Sequence, residues 1–213
     1  MATILELAEL SHAVYGDAPV PTGWLELAEL SSAVYGDTPV PTGWAVMPGP
    51  NGTSGSNPDG YYGVAYVNTT THEIVIANRG TVASLANLIN DAELAAHEIT
   101  PDEKSAIAFA QTIAKLVKPG AQYAGYSLIE TGHSLGGSEA QAATAALVDL
   151  NLAVVSAVTF QSPGITSQLF NKLPSSYNVL NLYDQGDIIH DVGGTHLGTM
   201  GSLSGADERL RGD

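Results

Sequence analysis

The chain has 213 residues, no cysteine, 44% hydrophobic and 14% charged residues, and a formal net charge of -15, the profile of one globular domain with a full core. The missing cysteines exclude disulfides and thiol catalysis, and the scarcity of basic residues opposes binding to nucleic acid or to an anionic membrane. No segment approaches the length of a membrane span. The acidic, amphipathic start Met-Ala-Thr-Ile-Leu-Glu-Leu is unlike a cleavable signal, which leaves the compartment open and secretion by another route admissible.

The first feature along the chain is a tandem duplication. Residues 5–24 read LELAELSHAVYGDAPVPTGW and residues 25–44 read LELAELSSAVYGDTPVPTGW, so only His12 against Ser32 and Ala18 against Thr38 differ. Each unit reads as a short amphipathic helix with leucines at helical spacing, stopped by Gly16 or Gly36 and followed by a Pro-Val-Pro arm that ends in Trp. Two units are too few for a solenoid. The expected organisation is a duplicated helix-arm segment, 1–44, ahead of a catalytic domain, 45–213. A fold with one groove for this helix takes one copy. The second, contiguous with the rest of the chain, is expected to be docked, which leaves the first to extend, pack elsewhere or swap into a neighbour as a homo-oligomer.

Residues 48–60 are rich in Pro, Gly, Asn and Ser and read as a loop. Two strands follow, Tyr62 to Val67 and Glu73 to Ala77, joined by a polar turn, and the second ends in Asn-Arg-Gly-Thr. From Val82 to His97 the residues Leu85, Leu88, Ile89, Ala92 and Ala96 fall on one helical face, with Asn87, Asn90, Asp91 and Glu93 away from it. Thr100-Pro101-Asp102-Glu103 opens a helix that runs to about Val117. The Tyr-rich run Tyr123 to Ile129 is expected as a strand, Ser138 to Leu150 as an Ala-rich helix, Ala153 to Phe160 as a strand, Thr166 to Leu173 as a short helix and Asn178 to Tyr183 as a strand. This alternation predicts an α/β fold whose central sheet, flanked by helices, is largely parallel in its second half, with chemistry beyond the carboxyl ends of the strands.

Between the Tyr-rich run and the Ala-rich helix stands Gly132-His133-Ser134-Leu135-Gly136-Gly137. A Gly-x-Ser-x-Gly turn from strand to helix strains the serine backbone, and it brings the two flanking glycines too close for a Cβ on either. Ser134 is the candidate nucleophile, in an elbow made with Gly132, His133 and Gly136. The Leu135 N–H, at the positive end of the following helix, is one oxyanion donor, and Thr81, after Arg79-Gly80, is the second. A serine needs a base, and the base a carboxylate. Downstream of the Asn178 strand lie Asp184, Asp187, His190, Asp191 and His196. Asp187 in the loop beyond that strand is the favoured carboxylate, and His196 in its Gly-rich setting the favoured base, with His190, Asp184 and Asp191 as rivals. The side chain of His133 is expected to support the turn. No spacing matches a metal site, and no cofactor is implied.

Together these residues resemble the class 3 lipase family, the fungal-type triacylglycerol lipases with the α/β-hydrolase fold, over roughly residues 60–200. Arg79-Gly80-Thr81 looks like the family's oxyanion strand end and Ala86 to Asp91 like the segment after it. Gly132 to Gly137 matches the serine motif, Thr159 to Pro163 is similar to the run after the next strand, Gly186-Asp187 matches the aspartate motif, and His196-Leu197-Gly198 looks like the histidine motif. The resemblance implies a triad of Ser134, Asp187 and His196, oxyanion donors Thr81 and Leu135, and a lid on the Ala83 to Ala96 helix, with Leu85, Leu88, Ile89 and Ala92 as its apolar face and transient contact with a lipid interface. The expected activity is hydrolysis of acyl esters of lipids. The alternatives are a phospholipase or polyester-cleaving esterase on the same fold, and a non-catalytic lipid-binding or oligomerising module.

Overall fold

The computed structural model describes residues 23–36, 38–54, 57–80, 97–183 and 189–202. The first repeat copy up to residue 22, the lid candidates Leu85, Leu88, Ile89 and Ala92, the site candidates Thr81, Asp184 and Asp187, and the tail from residue 203 lie outside the described residues.

The described strands form one seven-stranded sheet whose spatial order is its chain order: β1 (Ala45–Val46), β2 (Tyr62–Asn68), β3 (Glu73–Arg79), β4 (Ser127–His133), β5 (Val155–Phe160), β6 (Val179–Tyr183) and β7 (Thr199–Ser202). β1, β2 and β3 pair antiparallel, and every pairing from β3 to β7 is parallel. β3 is buried on both sides: Ile74 and Ile76 pack under the helices α2 (Pro101–Ala114) and α3 (Leu135–Asp149), while Val75 and Ala77 face the helix α1 (Trp24–Ala33). Such near-continuous apolar runs are what a sheet covered on both faces requires.

α1 is the helix of the second repeat copy. Its Leu27, Ala28 and Leu30, with Val34 and the arm's Trp44, join Val64, Tyr66, Val158 and Phe160 in one cluster. The Trp44 indole N–H donates to the Glu26 carboxylate at 3.3 Å, which brings the end of the arm back to the start of its own helix. On the other face, α2 starts where the sequence signals it. Thr100 and Glu103 make a reciprocal capping box, Pro101 occupies the first turn, and Phe109, Ala110 and Ile113 reach the core.

Four segments differ from the sequence reading. The Tyr123–Ile129 run enters the sheet only at Ser127, because the Tyr123 and Gly125 N–H groups donate to the Leu116 and Val117 carbonyls at the end of the preceding helical segment. The segment 166–173 is not a helix beyond one 3-10 turn, Ser167–Leu169. Ile165 just before it is tied by paired backbone bonds to Thr195, and the Asn171 N–H just after the turn donates to Asp149. Finally, β1 and β7 carry exposed, weakly patterned residues and are strands only by virtue of their neighbours.

Candidate active site

Ser134 lies between β4 and α3, at the carboxyl edge of the parallel strands, with φ 57° and ψ -131°. A residue with a Cβ holds such a backbone only where its surroundings over-determine it. Here the Ser134 N–H donates to the Phe160 carbonyl at 3.0 Å and its own carbonyl accepts from Gly137 at 2.8 Å. A Cβ on Gly132 would strike the Gly136 carbonyl, and one on Gly136 would strike the Asn78 carbonyl and lie 2.7 Å from the Gly80 nitrogen. Gly80 is equally tight, since a Cβ there would sit 2.6 Å from the His133 carbonyl oxygen. The elbow, the end of β3 and the start of α3 therefore touch backbone to backbone, which bulkier residues would prevent.

The Ser134 side chain is buried, and its hydroxyl has no hydrogen-bond partner among the described residues. Leu135 is the first residue of α3, so no carbonyl one turn earlier in the helix takes its N–H, and the positive end of the helix faces the serine. Its side chain packs with Ile189 and Val192, which brings the loop after β6 against the elbow.

The histidines divide by their partners. His133 Nε2 bonds Gln161 Oε1 at 3.0 Å, tying the elbow to the end of β5, where Gln161 itself sits at φ 46°. His133 is thus a brace. His190 stacks on the Tyr183 ring with centroids 4.1 Å apart and meets the exposed Asp191 carboxylate at 3.2 Å. His196 Nε2 bonds the His190 carbonyl at 3.0 Å, and its Nδ1 has no partner among the described residues. Burial, the largest effect, holds the His196 pKa below the usual 6.5, seconded by the neighbouring His190, while the His190 carbonyl and the Asp191 charge oppose it. A neutral imidazole is the form that accepts a proton. The Ser134 hydroxyl and His196 are not hydrogen-bonded to each other.

Arg79, one residue before Gly80, lies over the Tyr62 ring with its guanidinium carbon 4.8 Å from the centroid, an arrangement that binds cation to ring face. Among the described residues no group of His, Asp and Glu is arranged to hold a metal ion, and no helix is long and apolar enough to cross a membrane. The polar contacts that the sequence did not disclose are Gln161, Gln141 and Asn181. Only the presence of Glu139 and Gln141 in an otherwise alanine-rich helix hinted at buried polar work there.

A serine on a strained strand-to-helix turn at the carboxyl edge of a mixed sheet, with helices on both faces, defines an α/β-hydrolase scaffold. The family described as Lipase (class 3) matches residues 75–196, and the chain belongs to it. Among solved structures, a triacylglycerol lipase whose catalytic centre is described as a serine protease triad aligns at 17% identity over 94% of this chain and 81% of its own, with a TM-score of 0.62. A triacylglycerol lipase from Penicillium expansum aligns at 17% identity over 85% of this chain and 78% of its own, with a TM-score of 0.60. The Rhizomucor miehei lipase in its propeptide complex aligns at 20% identity and TM-score 0.55, over 70% of this chain and 55% of its own. At these identities the likeness is one of fold, and the chain spans little more than half of the Rhizomucor lipase. No curated protein sequence matches the chain.

Proposed function

We propose that the protein is a serine carboxylic-ester hydrolase that cleaves acyl esters of lipids through Ser134, His196 and Asp187. The observation that carries this reading is the strained Ser134 at the start of α3, its hydroxyl without a partner among the described residues, in a chain of the class 3 lipase family. His196 takes the hydroxyl proton as Oγ attacks the ester carbonyl. The Leu135 N–H and Thr81 hold the oxyanion, and His196 returns the proton to the departing alcohol. Water, activated by the same imidazole, then attacks the acyl-serine and releases the acid. Asp187 orients the imidazole and stabilises its charged form. The 83–96 segment serves as a lid whose apolar face meets a lipid interface.

A fluorophosphonate probe is expected to label one site, Ser134, and p-nitrophenyl esters from acetate to palmitate to be turned over with a preference for the longer chains when emulsified. Preference for acetate would indicate a short-chain esterase. No labelling and no turnover on any ester would leave the lipid-binding module.

The duplicated arm is read as a device for self-association. The first copy carries Leu7, Ala8, Leu10 and Val14, the counterparts of the residues by which α1 packs on the sheet, and so fits the same seat on a second molecule when it exchanges with that molecule's own α1. Light scattering is expected to give a dimer or larger assembly, and a clean monomer across the micromolar range would remove this part of the reading.

A further inference from the structure

His196 belongs to a stretch without regular structure, between the loop after β6 and the start of β7, and a catalytic base in such a stretch needs external support. The residue immediately after it, Leu197, is held through both its N–H and its carbonyl. The Leu197 N–H donates to Gln141 Oε1 at 3.0 Å, and the Leu197 carbonyl accepts from Asn181 Nδ2 at 2.7 Å. Both amides are themselves fixed. Gln141 Nε2 donates to Ser162 Oγ at 2.9 Å and to the Pro163 carbonyl at 3.0 Å, and Asn181 Oδ1 accepts from the Thr159 hydroxyl at 2.7 Å. Gln141 and the Leu197 side chain are fully buried and Asn181 nearly so, so these bonds are made away from competing water. On the other side of His196, Thr195 is anchored by two backbone bonds to Ile165, at 2.8 and 3.0 Å.

The chain spacing gives this arrangement its meaning. Gln141 is on α3, seven residues and about two turns after Ser134, and thus on the rigid element that begins at the nucleophile. We propose that Gln141 and Asn181 are positioning residues of the hydrolytic site, clamping Leu197 so that the imidazole of His196 keeps a fixed distance from the Ser134 helix. The inference rests on the reading of His196 as the base. Neither amide touches the reacting atoms; each acts through the backbone of its neighbour.

The test is Gln141→Met, which keeps length and apolar bulk but loses the acceptor for the Leu197 N–H, measured beside His196→Ala and a core variant remote from the clamp, Leu147→Val. Misplacing a catalytic group by about an ångström costs on the order of 100-fold. Gln141→Met is therefore expected to lower kcat at least about tenfold with KM unchanged, and to distort the acid limb of the pH-rate profile. Leu147→Val is expected to lose thermal stability while keeping the parent kcat and profile. Should Gln141→Met fail to fold, Asn181→Ser, which frees the Leu197 carbonyl, is held to the same outcomes.

Parent kcat and pH profile in a folded clamp variant would overturn the proposal, as would an equal kcat loss in Leu147→Val. If His196→Ala retains hydrolysis, the base has been misassigned and the clamp falls with it. If His196→Ala is inactive and the clamp variants behave as the parent, only the clamp is wrong.

Discussion

Ser134→Ala and His196→Ala are each expected to lower kcat for ester hydrolysis by roughly 10⁴- to 10⁶-fold, and the double variant to be scarcely worse than either single one. Groups that act as one unit lose almost everything with the first deletion. The reason lies in the geometry of the elbow. The strained Ser134 backbone is fixed by Phe160 and Gly137, and replacing only Oγ leaves that frame standing, so a melting temperature within a few degrees of the parent should accompany the lost activity. The pH dependence carries further information. Burial holds the His196 pKa down, so the imidazole stays neutral to more acid pH than a free histidine. The acid limb of kcat/KM is accordingly expected to have its midpoint below 6.5, the ordinary histidine value. A midpoint above that value, or substantial turnover by Ser134→Ala, would contradict the assignment.

The second large effect is loss of stability as pH rises from about 5 to 8, caused by carboxyls buried beneath the sheet. Glu130 projects from β4 onto the α2–α3 face. There the Tyr61 hydroxyl donates to Asn78 Oδ1 at 2.7 Å, and Asn78 Nδ2 donates to Glu130 Oε2 at 2.9 Å. The second oxygen of Glu130, and one oxygen of Glu139 on α3, have no partner among the described residues. Burial pushes both pKa values well up. The Asn78 hydrogen bond opposes this at Glu130. At Glu139 the charges of Asp102, Glu103 and Asp59 reinforce it and Arg79 opposes it. Glu103, in the capping box, is pushed up to about 7, mainly by burial.

A carboxyl whose pKa is higher folded than unfolded binds its proton more tightly in the folded state. Its contribution is therefore complete below the unfolded value and is lost as pH rises through the folded one. For Glu103 that window runs from 4.5 to about 7, and at about 1.4 kcal/mol per unit the loss is on the order of 3 kcal/mol. For Glu130 and Glu139, whose pKa values burial also raises, the loss has the same sign. Thermal melts at pH 5, 6, 7 and 8 are expected to show a falling midpoint. Glu130→Gln with Glu139→Gln should flatten the slope, because an amide fits the same space and cannot ionise. The accumulating negative charge of the chain acts in the same direction, and the double variant separates the two effects. A midpoint that is level or rises over this range would exclude the buried-carboxyl account.

What the sequence by itself determined is what neighbours in the chain determine. The Gly132–Gly137 run forms a strand-to-helix turn in which Gly132 and Gly136 meet backbone to backbone, too close for a Cβ on Gly132. Thr100 to Glu103 start a helix because one side chain caps the other's backbone, and the apolar runs of β2, β3 and β5 are legible because sheets covered on both faces bury nearly every residue of a central strand. Family membership was legible for the same reason, since its motifs are short and local.

Tertiary structure decided the rest. Tyr123 to Tyr126 has strand composition yet forms turns, because the Tyr123 and Gly125 N–H groups are claimed by the preceding helical segment and those of Ala124 and Tyr126 by the Ala121 and Tyr123 carbonyls. β1 and β7 exist only through partners elsewhere in the sequence, Val67 and Tyr66 for one and Leu180 to Tyr183 for the other. The sequence marks His133 as a support of the turn and His196 as the favoured base, but it does not show their partners: Gln161 lies beside His133, and burial lowers the His196 pKa while amides 56 and 16 residues away from Leu197 hold the residue that follows it. Hydrogen bonds across such separations leave no periodicity to read, since any buried amide at the right point in space satisfies them.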